Sequence, residues 1–116
     1  MMPQERPLKI RLMRMGNILL EPTWPFDDPP NVATLTLRRI MQGHAPIRVV
    51  IHDADDGMWQ FLDGESATEH EAILVSLAEM LTHDPSIATL ADLPLGWWAR
   101  RASTQDPWQR SPHDAA

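Results

Sequence analysis

Apolar and polar residues alternate in short runs along this chain. In "PLKIRLM", Leu8, Ile10 and Leu12 alternate with Lys9 and Arg11, the period-two pattern of a half-buried strand, and the cations suit a sheet edge. "VATLTL", residues 32 to 37, has the β-branched alternation of a second strand, and "RRIMQG" after it reads as one helical turn closed by Gly43. "APIRVVIH" sets Ile47, Val49 and Ile51 against Arg48, Val50 and His52, which predicts a third strand. "MWQFL" sets Trp59 and Phe61 against Met58, Gln60 and Leu62, so the intervening "DADDG" is expected to be a hairpin loop.

The period changes in "ATEHEAILVSLAEMLTHDP". Ile73, Leu74, Leu77, Met80 and Leu81 make a broad apolar stripe at helical spacing, opposite Glu69, Ala72, Ser76, Glu79 and His83. Ser66 with Glu69, or Thr68 with Glu71, fits a capping box, and Pro85 ends the pattern. A helix over residues 68 to 83 is predicted. "EPTWPFDDPPN" holds four of the eleven prolines and reads as a loop anchored by Trp24 and Phe26. "SIATLADLPLGWW" predicts a short helix or turn ending at Pro94 and Gly96, and the chain is expected to fray beyond Trp108.

These elements predict an α+β fold in a single small domain: a mostly antiparallel sheet of about four strands with one main helix packed on one face. Trp59, Phe61 and the helical leucines would lie at its centre. The expected organisation is an N-terminal strand and proline-rich loop over residues 1–30, an α+β core over 31–110 and a flexible tail over 111–116. At 116 residues and 43% hydrophobic, the chain suffices for one core and not for two ordinary domains.

Charge and composition narrow the partners. The formal net charge of −6 disfavours nucleic acid and anionic membrane, both of which reward a positive surface, and suits a basic protein partner. The locally basic "MMPQERPLKIRLMRMG" lacks the apolar core and cleavage site of a secretory signal, and no apolar run is long enough to span a bilayer. A cytoplasmic location is the expectation. The chain has no cysteine, so disulfides, thiolate catalysis and cysteine-bearing zinc sites are excluded.

Asp53, Asp55, Asp56, Asp63 and Glu65 are dense enough to suggest a calcium loop, but the glycine falls one residue early and Gly64 stands where the final glutamate belongs. Histidine precedes aspartate at His52, His83 and His113, without the further histidines that a hydrolytic metal site needs. No G-x-S-x-G elbow or phosphate-binding glycine loop is present. No metal, cofactor or catalytic residue is therefore assigned. One acid–base alternative stands beside this: a small hydrolase or metal-binding enzyme in which His52 meets Asp53, Asp55 or Asp63 if the hairpin folds back. "GWWARR" with Trp108 and Arg110 interleaves aromatic and guanidinium groups, and these residue types dominate protein interfaces.

The unit "TLTLRRIMQGHAPIRVVIHDADDGMWQFLDGES" resembles a family of small bacterial domains of unknown function, whose shared positions match Arg38, Arg39, Gly43, Pro46, Asp56, Gly57, Trp59, Phe61, Gly64 and Glu65. That family is similar to immunity-protein-like domains, which neutralise toxins of bacterial competitors by binding them. The resemblance implies a non-enzymatic interaction domain, and the edge strand expected at "PLKIRLM" allows a monomer or a homodimer. The candidate contact residues are Asp53, Asp55 and Asp56 at the hairpin tip, and Trp97, Trp98, Arg100, Arg101 and Trp108 near the C-terminus.

Overall fold

The computed structural model describes residues 24–113. The strand predicted at "PLKIRLM" and the end of the chain lie outside them.

Strand β1 (Ala33–Leu37) runs directly into a one-turn helix, α1 (Arg38–Met41), and Gly43 follows with φ of 81°, the left-handed conformation that ends the turn. Strands β2 (Val49–His52) and β3 (Trp59–Leu62) form the predicted hairpin. Its loop is closed by Asp53 N–H donating to the Met58 carbonyl at 2.9 Å, with Gly57 at φ 74°.

The helix expected over 68–83 is corrected by the structure. Glu69–Glu71 is a single 3-10 turn, Ala72–Ser76 is strand β4, and the α-helix, α2, covers only Leu77–His83. The reason is tertiary. "AILVS" pairs with the whole of β1, from Ala33 opposite Ser76 to Leu37 opposite Ala72, and five ladder positions outweigh a weak helical preference at Ile73 and Val75. Two capping boxes form. Thr68 with Glu71 closes the 3-10 turn, and Ser76 with Glu79 starts α2 where β4 ends. Leu74, placed by helical spacing on the apolar stripe, is 63% exposed.

Two further strands follow, β5 (Trp97–Arg100) and β6 (Gln109–Pro112), where the sequence predicted a turn and fraying. Residues 111 and 112 of the expected tail thus lie in the sheet. The sheet has six strands in the order β4-β1-β3-β2-β5-β6, mixed because β1 runs parallel to β3, in place of about four mostly antiparallel strands. Among the described residues the helices are small, and no single main helix covers the sheet.

Ladder partners share a face, so register assigns the core. Phe61, Val50 and Ala99 lie abreast on one face and are fully buried. Leu77 and Met80 of α2, Ile40 of α1, and Ile87 and Leu90 of the 3-10 segment Pro85–Leu90 join the same cluster. Phe26 meets Trp59 edge to face at 5.3 Å, so the proline-rich loop is anchored on the core side by Phe26 and Trp24, as its sequence predicts. Two buried threonines also face the core. Thr34 donates its hydroxyl to the Val75 carbonyl at 2.9 Å, and Thr36 donates to that of Phe61 at 2.8 Å, so neither is left unsatisfied.

Candidate interaction surface

On the opposite face, one row of ladder partners crosses the whole sheet: Leu74 of β4, Leu35 of β1, Gln60 of β3, Ile51 of β2, Trp98 of β5 and Ser111 of β6. A second row runs Leu62, Val49, Arg100 and Gln109. Antiparallel strands with one wet face normally carry polar residues there. Here the outward positions are mainly leucine, valine, isoleucine and tryptophan. Leu37, on the same side of β1 as Leu35, is buried, and Leu62 packs in part against the buried cluster. Val49, Ile51, Leu62 and Trp98 line an open groove of about 940 Å³, rimmed by Arg48, Glu65, Arg100 and Asp106.

Trp98 is fixed in this groove. Its Nε1 donates to Ser111 Oγ at 2.7 Å, and the Arg100 guanidinium lies 4.3 Å over its ring. Arg100 is exposed and forms no ion pair among the described residues. Arg48 closes one end, donating to the carbonyls of Asp63 and Ala102 and to Glu65 at 2.9 Å.

The predicted contact residues separate into three places. Asp55 and Asp56 are exposed at the hairpin tip, beside Leu95, which is 58% exposed, while Asp53 accepts from Gln60 Nε2 at 2.6 Å. Trp98 and Arg100 lie on the open face. Trp97, Arg101 and Trp108 belong to the core side: Trp97 is level with His52, and Arg101 is buried. Arg101 donates to the Ile47 carbonyl, to Ser86 Oγ and to Asp84 at 2.8 Å, and its guanidinium lies 4.0 Å over the Trp108 ring. It is an internal tie between the end of β5 and the Asp84 turn.

The acid–base alternative finds no assembled dyad. The His52 ring stacks on Trp59 at 3.9 Å and its Nδ1 lies 2.8 Å from the Leu93 carbonyl. Asp63 follows the far end of β3 and is held by Arg39 at 2.7 and 2.9 Å. That guanidinium keeps the Asp63 carboxyl below the usual carboxylate range, against the opposing effect of burial. Glu71, which accepts from the Thr68 backbone and from Arg39, is also lowered. Among the described residues no group of three or more histidine, aspartate or glutamate side chains is placed to hold a metal ion. No helix among them is long and apolar enough to cross a membrane.

The sequence reasoning missed Leu35, Val49, Ile51 and Leu62 as surface-forming residues. For Val49, Ile51 and Leu62 the signal was present in "VVIH" and "WQFL", where residues of both parities are apolar. Such runs mark strands that are covered on both faces. No protein family, curated protein or solved structure matches this chain.

Proposed function

We propose that the chain is a non-enzymatic protein-interaction domain that receives a protein partner on its open sheet face. The observation that supports this reading is the row of Leu35, Ile51 and Trp98 on a sheet face left open among the described residues, with the Arg100 guanidinium over the Trp98 ring. Tryptophan and arginine in a desolvating groove are the side chains that dominate interface energies. The exposed Asp55 and Asp56, in a body rich in carboxylates, favour a basic partner by speeding its encounter. If the resemblance drawn from the "DDGMWQF" region holds, that partner is a bacterial toxin.

The test is affinity capture with the full chain at low and high salt, comparing the native sequence with Trp98→Ala and Ile51→Asp. A stoichiometric basic protein is expected at low salt, with Trp98→Ala weakening it by about 30-fold, the effect of losing a hot spot of about 2 kcal/mol. Capture that is indifferent to both substitutions, or no stoichiometric protein at all, overturns the proposal.

A further inference from the structure

The open face raises the question of what lies on it when no partner is bound. The outward residues of β1, β2, β3 and β5 are apolar except for Gln60 and Arg100, and an apolar face left open among the described residues invites association. Residues 1–23 precede Trp24, which is anchored on the core side of the sheet through Phe26. They supply Leu8, Ile10, Leu12, Ile18, Leu19 and Leu20, enough apolar side chains to meet the row from Leu35 to Trp98. Their charge also differs from that of the body. Arg6, Lys9, Arg11 and Arg14 against Glu5 and Glu21 give the segment a net charge of +2, whereas residues 24–113 carry a net charge of −7. Glu65 and Asp106 stand on the rim of the groove. Reach is no obstacle, because residues 13–23 extend to about 35 Å, several times the thickness of one sheet layer.

Resting on the reading of this face as a docking surface, we infer that the occupant in the free protein is the chain's own N-terminal segment, with Leu8, Ile10 and Leu12 laid across Ile51 and Trp98. A partner then binds by displacing it. The affinity observed for that partner is lowered by the fraction of molecules in which the segment is seated.

Hydroxyl-radical footprinting of the full chain, read residue by residue by mass spectrometry, tests this at several protein concentrations. In the native sequence Trp98 should react slowly at every dilution, and Ile10→Asp with Leu12→Asp should raise its rate severalfold while Trp108 stays unchanged. A Trp98 rate that is fast in the native chain and unmoved by the substitutions overturns the inference. So does protection that vanishes on dilution, which would make a second copy the occupant. Should the double variant unfold, the native chain carries a second test, because Lys9 is its single lysine. A carbodiimide that joins amines to carboxylates should link Lys9 to Glu65 or Asp106 within one molecule. Links only to Asp55 or Asp56, only between molecules, or none from Lys9 overturn it. Neither assay requires the partner, so loss of this inference leaves the capture experiment with Trp98→Ala to decide the docking reading.

Discussion

Asp63 shows how much a single side chain joins in this fold. Almost fully buried, it accepts two hydrogen bonds from Arg39 and one from the Glu65 backbone, tying the end of β3 to α1. Asp63→Asn should lower the unfolding free energy at neutral pH by about 2 kcal/mol, the value of charged hydrogen bonds lost in a partly wet site. Because the folded carboxyl titrates below its unfolded value, its stabilisation is complete above about pH 4 and is lost as pH falls through the depressed value. Denaturant titrations from pH 7 to pH 2 should show a steeper acid limb in the native chain than in Asp63→Asn. Gly57 presents a different constraint. At φ 74° an added Cβ would meet only Leu95 Cδ2 at 3.9 Å, so Gly57→Ala should cost about 1 kcal/mol from backbone conformation alone.

At the scale of elements, the segment from Thr68 to His83 was the clearest misreading. A helical stripe and a capping signature both pointed to one helix, yet β1 takes "AILVS" as its neighbour and the helix starts nine residues after Thr68. Two substitutions separate the arrangements. Ser76→Ala, which removes the cap of α2, should cost about 1 kcal/mol, while Thr68→Ala, at the head of a three-residue turn, should cost under about 0.5 kcal/mol. A continuous helix would reverse that order. β2, β3 and their hairpin were legible because alternation and a glycine turn act locally. Strands β5 and β6 were not, because "WWAR" and "QRSP" carry little strand signal and are held by pairing with β2 and with each other.

For the whole molecule, the asymmetry of the two sheet faces is the property to test. Val50 and Ile51 are neighbours in sequence and opposite in fate: Val50 is fully buried beside Phe61 and Ala99, and Ile51 looks into the groove. Val50→Asp should abolish cooperative unfolding, since it places a charge in the core without a partner. Ile51→Asp should retain a cooperative transition by circular dichroism while abolishing binding at the open face. The split of Trp97, Trp98 and Arg100 between the two faces has a local origin. "GWWARR" alternates across a strand, so Trp98 and Arg100 go to one side while Trp97 and Ala99 go to the other.

The local features were legible in the chain alone: the β2–β3 hairpin with its acidic tip, the one-turn helix closed by Gly43, Phe26 and Trp24 as loop anchors, and Trp59 and Phe61 as core residues. Each follows from periodicity, turn chemistry or apolar size within a few residues. The tertiary structure alone decided the parallel β1–β3 pairing, the strand at Ala72–Ser76, the burial of Arg101 against Asp84, and the open apolar face. Those features depend on which distant strands come to lie abreast, and a pattern with a period of two states that a strand has two faces without stating what lies against each.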